Sequence, residues 1–320
     1  MWKSLKDRAE GVKEMKRMKT TEAVGQVLCH DITQIIPGVT KDAVFRKGHI
    51  IREEDIPVLL SVGKDSVYIW ENDETMMHEN DAAEVLYRMT ANEHMHPSDV
   101  KEGKIEAIAD TEGLLKVDRE KLKKVNAFGE MMIATRHGNT VVKKGDKLAG
   151  TRIIPLVIKK DKMQEAEKIC DGTPILKILP FTVKKAAIIT TGNEVYHGRI
   201  KDAFTPVIEQ KIAEFGAEMM FHEIFDDNDR KITDGCLRAI EAGADIVFCT
   251  GGMSVDPDDK TPLAIKNTGA EMISYGSPVL PGAMFLLSYY RKGDKVIPIC
   301  GLPGCAMYNR RTIFDLVLPR

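Results

Sequence analysis

Short apolar runs alternate with longer segments of helical spacing over residues 186–318. The runs predict strands over residues 186–190, 217–225 and 246–249. The amphipathic segments predict helices over residues 204–215, 230–242, 262–267 and 305–318. Two more apolar segments, 283–290 and 295–300, flank the turn Lys292-Gly293-Asp294 and predict a further strand pair. This alternation is typical of a mostly parallel sheet with helices on its faces.

The pattern is less regular before residue 181. Residues 20–180 predict short helices such as 53–62, 80–89, 120–125 and 164–170 between strands such as 105–109, 113–117 and 131–135. They indicate a mixed α+β domain, because no regular βαβ rhythm appears. Residues 1–19 have loosely helical apolar spacing and predict an amphipathic arm. The arm either docks on the body or a second subunit, or frays in solvent.

We therefore divide the chain into three predicted segments: an arm (1–19), an α+β domain (20–180) and an α/β domain (181–320). The length of the chain is compatible with two domains. Hydrophobic residues make up 43% and charged residues 29%, as in ordinary globular proteins. The net charge of -2 argues against a broad nucleic-acid-binding surface. We expect a cytoplasmic protein, because the chain shows no signal-peptide core, no apolar run near roughly 18 residues and no C-x-x-C pair.

The predicted strand 246–249 ends in the most informative loop of the chain, Thr250-Gly251-Gly252-Met253-Ser254. Paired glycines at the carboxyl end of a buried strand permit positive φ and let a ligand approach the backbone. Ligands of open α/β sheets bind in the crevice at these strand ends. A simple turn is the alternative interpretation.

Two similar loops follow other predicted strands. They are Thr191-Gly192-Asn193-Glu194 and Gly301-Leu302-Pro303-Gly304. Parallel strands place all three loops on one sheet edge, and the last loop opens a predicted helix whose first amides and dipole suit an anion such as phosphate. The predicted ligand is therefore anionic. None of the loops has the dinucleotide or P-loop spacing.

Carboxylates accompany these loops. Asp227 lies in an acidic loop after the second strand, and Asp258 and Asp259 precede Thr261-Pro262 at a predicted helix start. Their place beside the loops indicates a functional site, although a helix cap is the alternative for each. A metal site at His78, His94 and His96 is a weaker hypothesis, since no framework of further ligands completes it.

As a set, these motifs resemble the molybdopterin-binding domain shared by molybdopterin molybdotransferase and molybdopterin adenylyltransferase, the MoeA/MogA type. The matching motifs run in family order over residues 186–318: Thr191-Gly192-Asn193-Glu194, Asp227, Thr250-Gly251-Gly252-Met253-Ser254, Asp259-Lys260-Thr261-Pro262, Pro281-Gly282 and Gly301-Leu302-Pro303-Gly304. Residues 23–31 resemble the opening of the molybdotransferases more thinly. The resemblance implies a three-layer, mostly parallel sheet flanked by helices over residues 181–320.

The resemblance also implies a role in molybdenum cofactor biosynthesis with molybdopterin, or the finished cofactor, as ligand. The glycine-containing loops, Pro281-Gly282, Asp258 and Thr261 would hold the pterin and its phosphate. Asp227 and Asp259 would be the catalytic residues, placed to bind Mg²⁺ or a phosphate of ATP. Relatives are commonly dimers or trimers, so we expect a homo-oligomer. A further partner would be a molybdenum enzyme or another biosynthetic protein. We expect neither nucleic acid nor a membrane as a partner.

Two departures from the family pattern bear on the activity. Molybdotransferases carry a Lys-Pro-Gly-Lys-Pro segment beside the phosphate, whereas residues 279–284 contain no lysine. The C-terminal β domain of molybdotransferases is not expected either, because the last predicted helix reaches the end of the sequence. The leading hypothesis is a molybdopterin-binding protein that carries out molybdate insertion or adenylyl-type transfer in cofactor biosynthesis. Both departures favour the alternative, a non-catalytic carrier or sensor that delivers the cofactor to a molybdenum enzyme. A relative that uses this fold for another nucleotide-like ligand is the third hypothesis.

Overall fold

The computed structural model describes residues 16–36, 40–69, 75–254, 256–257 and 259–320. The chain divides after Leu179 into two compact units, next to the boundary predicted between residues 180 and 181. None of the helices in the described ranges is both long and apolar enough to cross a membrane.

The first unit mixes short strands and short helices, as predicted. Its strands are β1 (Lys16–Lys19), β2 (Ile32–Ile36), β3 (Thr40–Phe45), β4 (Ser66–Ile69), β5 (Met76–His78), β6 (Met95–Pro97), β7 (Ile105–Ala109), β8 (Gly113–Val117), β9 (Met131–Thr135), β10 (Thr140–Val142), β11 (Lys147–Ile153), β12 (Val157–Lys159) and β13 (Leu176–Leu179). Its α-helices are α1 (Ile56–Ser61), α2 (Glu79–Thr90), α3 (Arg119–Asn126) and α4 (Lys160–Cys170). Single 3-10 turns cover Thr20–Glu22 and Glu53–Asp55.

The largest sheet of this unit has the order β6-β7-β11-β9, and a second has the order β10-β8-β13. Helix α2 packs against β7 and β11 through a core that includes Leu86, Ala107 and Ile153. The helical conformation predicted for the arm is wrong in its described part, because Lys16–Lys19 is a strand paired with Ser66–Ile69. Met18 lies opposite Val67 there and packs against a small second core. Residues 1–15 of the predicted arm lie outside the described residues.

The second unit is the predicted α/β domain. Its strands are β14 (Lys185–Thr191), β15 (Glu218–Phe225), β16 (Ile246–Thr250), β17 (Glu271–Tyr275), β18 (Leu286–Lys292) and β19 (Lys295–Leu302). Its helices are α5 (Asn193–Tyr196), α6 (Phe204–Ala213), α7 (Asp229–Glu241), α8 (Thr261–Asn267), α9 (Cys305–Tyr308) and α10 (Ile313–Val317).

One six-stranded sheet, in the order β15-β14-β16-β19-β18-β17, organises this unit. The first four strands are parallel, and β18 runs antiparallel to both of its neighbours. Neighbouring residues of β16 face opposite sides of the sheet, as the pleat of a strand requires. Val247 belongs to the core under α7 and Phe248 to the core under α6 and α10. The predicted three-layer architecture is therefore confirmed.

The helix predicted over residues 305–318 is instead two short helices, α9 and α10. A capping box starts the second one, because Thr312 Oγ1 accepts from the Phe314 N–H (3.2 Å) and Asp315 Oδ2 accepts from the Thr312 N–H (2.7 Å). The break falls on the polar run Asn309-Arg310-Arg311-Thr312, which contains no glycine or proline to mark the end of a helix. A helix does begin directly after Gly304, as predicted, but it is a single turn, so its dipole is weaker than that of the helix predicted over residues 305–318.

Candidate functional site

The carboxyl ends of β14, β16 and β19 lie side by side in the sheet, as predicted for the three glycine-containing loops. A cavity of about 530 Å³ lies at this edge. The predicted ligand-binding residues that line it are Gly251, Gly252, Met253, Ser254, Asp259, Pro281, Gly282, Pro303 and Gly304. The structure thus brings residues from three separate loops into one concave site.

The loop after β16 turns sharply at Gly251 and Gly252, where φ is +84° and +54°. A Cβ at Gly251 would overlap the carbonyl oxygen of Thr191, and one at Gly252 would lie 2.9 Å from Thr261 Oγ1. Both positions therefore need glycine for a positive φ and for the close approach of a neighbouring loop.

Buried threonines hold this loop against its neighbours. Thr191 Oγ1 donates to the carbonyl oxygen of Thr250 (3.1 Å), and Thr261 Oγ1 donates to that of Gly251 (2.8 Å). Side chains that are buried and hydrogen-bonded in this way fix the conformation of the loop and do not face the cavity themselves. Six predicted ligand contacts are buried and absent from the described cavity lining: Thr191, Gly192, Thr250, Thr261, Gly301 and Leu302.

The loop after β14 contributes no residue to the described cavity lining. Asp227 Oδ2 accepts a hydrogen bond from the Asn193 N–H (3.1 Å), so this carboxylate fastens the loop that opens α5. Gly192, Asn193 and Glu194 are likewise not among the described lining residues. Their predicted contacts with a ligand remain predictions.

Asp259 does line the cavity. Its Oδ2 accepts from the Asp256 N–H (3.2 Å) and closes the turn before α8. Burial and the Asp259 carboxylate together raise the pKa of Tyr275, whose hydroxyl donates to the carbonyl oxygen of Met253 (3.2 Å). Asp258, predicted to contact the ligand, lies outside the described residues.

The described carboxylates do not form a metal site by themselves. No group of three or more His, Cys, Asp or Glu side chains in the described ranges is arranged to hold a metal ion. Asp227 and Asp259 belong to different loops, and only Asp259 lines the cavity as described. His78 and His96 have other partners, since His78 Nε2 lies 2.5 Å from the Cys29 carbonyl oxygen and His96 Nδ1 lies 2.6 Å from Asp110 Oδ1. The geometry therefore does not support the Mg²⁺ prediction.

The cavity lining carries negative but no positive charge in its described part. Asp256 and Asp259 contribute carboxylates, and no Lys, Arg or His is among the described lining residues. Lys260 follows directly, but its Nζ donates to the carbonyl oxygen of Pro257 (2.5 Å). Leu280 and Ala283 line the cavity in the segment where molybdotransferases carry their lysines. The described lining therefore suits a ring better than a polyphosphate.

Several lining residues were missed from the sequence. They are Phe204, Asp256, Leu280, Ala283, Met284, Cys305 and Tyr308. Leu280 and Tyr308 are 83% and 74% exposed, which is unusual for large apolar side chains beside a cavity. The signal that could have found Phe204 and Tyr308 is their position in the first turns of α6 and α9, the helices next to the sheet edge.

Comparison with known proteins gives two family matches. Residues 187–320 match a family model described as "Probable molybdopterin binding domain". Residues 17–71 match another, described as "Domain of unknown function (DUF8806)". The "Putative competence-damage inducible protein" of Bacillus cereus (strain B4264) is 30% identical over 129 residues, which are 40% of this chain and 30% of that protein. The chain thus spans less than a third of the length of this curated relative.

Solved structures with similarity include two proteins named for cofactor synthesis. The tungsten cofactor synthesizing protein MoaB from Pyrococcus furiosus is 20% identical, with a TM-score of 0.34 over 39% of this chain and 84% of that chain. The molybdopterin biosynthesis enzyme MoaB from Thermus thermophilus is 19% identical, with a TM-score of 0.33 over 42% of this chain and 90% of that chain. Residues 187–320 thus match the molybdopterin-binding domain that the motifs over residues 186–318 predicted.

Proposed function

We propose that the second unit binds molybdopterin or the finished molybdenum cofactor, and that the protein acts in molybdenum cofactor biosynthesis as a carrier. The observation that supports this most is the cavity of about 530 Å³ at the carboxyl ends of β16 and β19. Its volume is in the usual range for small-ligand sites, and its place in the sheet is the usual one. It also lies within the segment that matches the molybdopterin-binding family.

The charge of the lining favours binding over nucleotide turnover. A pterin ring is flat and uncharged, so it can pack on apolar side chains such as Phe204, Leu280 and Met284. ATP carries several negative charges and would meet Asp256 and Asp259 without a compensating cation in the described lining. Molybdopterin needs only one phosphate to be accommodated, through backbone amides or at the open side of the cavity.

A molybdotransferase or adenylyltransferase is the second candidate, favoured by the position of Asp259 in the lining. Such an enzyme would use ATP and Mg²⁺. The described carboxylates do not assemble into a metal site, so we assign no catalytic step to Asp227 or Asp259. In both cases the expected partners are the pterin and the protein that receives it. The cytoplasmic location and the homo-oligomer stay predictions.

Calorimetry with molybdopterin, with and without ATP and Mg²⁺, tests the proposal. The carrier predicts saturable molybdopterin binding and no ATP consumption. ATP consumption that depends on molybdopterin and disappears in Asp259→Ala would instead establish the transferase. Asp294→Ala is the matched control, because this exposed aspartate lies in the turn before β19, at the opposite end of that strand. Absence of molybdopterin binding would contradict both candidates.

A further inference from the structure

A polar cluster that the family motifs do not include lies between β14, β15 and α6. It consists of Thr190, Asp202, Thr205 and His222, and both threonines are buried. Polar groups enclosed in this way specify one local arrangement when all of them are hydrogen-bonded. The cluster adjoins the cavity through Phe204, which begins α6 and lines the cavity wall.

Asp202 is the centre of this cluster. Its Oδ1 accepts from the N–H groups of Phe204 (2.8 Å) and Thr205 (3.1 Å), which caps the first turn of α6. Its Oδ2 accepts from the hydroxyls of Thr205 (2.5 Å) and Thr190 (3.1 Å). Burial opposes ionisation, but these hydrogen bonds outweigh it and lower the pKa of Asp202. The carboxylate is therefore ionised and held by four donors.

His222 closes the cluster from the neighbouring strand. Its Nε2 lies 3.0 Å from Thr205 Oγ1, 3.3 Å from Thr190 Oγ1 and 3.4 Å from Asp202 Oδ2. Both threonine hydroxyls donate to the Asp202 carboxylate, so their oxygens remain available as acceptors. The His222 tautomer that fits this arrangement carries its proton on Nε2 and donates it into the cluster.

We propose that Asp202 and His222 are positioning residues that fix Phe204 as a wall for the ring of the bound ligand. Asp202 holds the Phe204 N–H directly, and His222 holds the Thr205 hydroxyl that shares the same carboxylate. The part of this inference that concerns the ligand rests on the proposed molybdopterin binding. The part that concerns Phe204 is independent of any ligand.

Asp202 would make the same hydrogen bonds if it were only an ordinary helix cap. The role of a cap and the role of a positioning residue differ in what a substitution changes. A cap affects the stability of the unit, whereas a positioning residue also affects the Phe204 ring and ligand affinity. Asp118 provides the matched control, because its Oδ1 caps α3 in the first unit by accepting from the Lys121 N–H (3.0 Å). Asp118→Ala removes the same kind of cap from a helix that has no residue in the described cavity lining.

The experiment compares Asp202→Ala, His222→Leu, His222→Gln and Asp118→Ala with the unsubstituted chain. The ring is observed by ¹⁹F NMR with 4-fluorophenylalanine in place of Phe204, and molybdopterin affinity is measured by calorimetry. We expect Asp202→Ala and His222→Leu to shift or broaden the ¹⁹F signal and to weaken binding about tenfold, the change that corresponds to one lost charge-assisted hydrogen bond. His222→Gln keeps an N–H donor and should restore both values.

Three results would overturn the inference. The first is an unchanged ¹⁹F signal in Asp202→Ala and His222→Leu. The second is a loss of affinity in Asp118→Ala as large as that in Asp202→Ala, which would indicate a general effect of stability. The third is a failure of His222→Gln to restore what His222→Leu loses. If the unsubstituted chain binds no molybdopterin, the proposed function fails, while the ¹⁹F comparison still decides whether the cluster positions Phe204.

Discussion

The ammonium of Lys211 lies 2.5 Å from the carboxylate of Asp315, and this buried ion pair joins α6 to α10. Lys211 Nζ also donates to the carbonyl oxygen of Arg310 (3.1 Å). Helix α10 in turn supports the cavity wall, because the Ile313 N–H donates to the carbonyl oxygen of Pro281 (3.1 Å). The pair therefore connects α6, whose first residue lines the cavity, to the helix that holds Pro281 of the cavity lining.

Lys211→Met should lower the free energy of unfolding by about 3 kcal/mol, because it leaves the buried Asp315 carboxylate without its main cation. Urea unfolding measures the change. Lys292→Met is the matched control, since the ammonium of Lys292 pairs with Glu241 at the surface. We expect its effect to be no more than about 1 kcal/mol. Equal losses of unfolding free energy in the two variants would contradict the larger contribution that we assign to the buried pair.

Acid should weaken the second unit through Asp315 and Asp202. Burial raises the pKa of each carboxyl, but hydrogen bonds from Lys211 and Thr312 to Asp315, and from Thr205 to Asp202, leave both pKa values below the ordinary one. Their stabilisation is present above the unfolded pKa of about 3.9 and is lost as the pH falls through the lower folded pKa.

Urea unfolding at a series of pH values between about 6 and 3 tests this expectation. The free energy of unfolding should fall toward the acid end. Asp315→Asn should be less stable than the unsubstituted chain at neutral pH and should show a smaller decrease on acidification. An identical decrease in the variant would show that Asp315 does not contribute to the pH dependence.

The sheet of the second unit could be predicted because its central strands are buried on both faces. Residues such as Ile188, Val247 and Phe248 form continuous apolar runs, which are typical of parallel strands. The glycine-containing loops follow these runs directly, so their common edge could be predicted as well. The start of α10 also had a local signal, since Thr312 and Asp315 have capping-box spacing just after the polar run Asn309-Arg310-Arg311.

Other features depend on contacts between distant residues. In the first unit, β8 pairs with β13, whose partner residues lie about sixty positions further along the chain, and no local pattern specifies that pairing. In the second unit, Phe204 and Tyr308 line the cavity only because α6 and α9 begin at the sheet edge. Local motifs predicted the backbone of the site, whereas the apolar side chains around it required the tertiary structure.

Two glycines of the cavity lining should respond differently to substitution. Gly251→Ala should lower the free energy of unfolding by about 2–4 kcal/mol, because φ is +84° and a Cβ would overlap Thr191. Gly304 has a helical φ of −52°, and a Cβ there meets no atom within 4 Å. Gly304→Leu should therefore change the free energy of unfolding by less than about 1 kcal/mol while occupying ligand space.

Thermal unfolding and molybdopterin calorimetry on the same two variants check this contrast. The expected pattern is a destabilised Gly251→Ala and a stable Gly304→Leu that binds molybdopterin at least about tenfold more weakly. A stable Gly304→Leu with unchanged affinity would exclude this part of the cavity from the binding site. A stable Gly251→Ala would contradict the close approach of the two loops.

Lysines at positions 280 and 283 should create the phosphate affinity that the described lining lacks. The double variant Leu280→Lys/Ala283→Lys restores the Lys-Pro-Gly-Lys pattern of the molybdotransferases, and Leu280 is 83% exposed, so a charge can be accommodated there. Each ammonium adds a charge-assisted contact, and we expect ATP to bind at least about tenfold more tightly, with the gain reduced by salt.

The control variant Val296→Lys/Leu316→Lys adds the same charge at exposed apolar positions outside the described lining. Calorimetry at low and high salt measures the difference, and an equal gain in this control would trace the effect to net charge instead of the cavity.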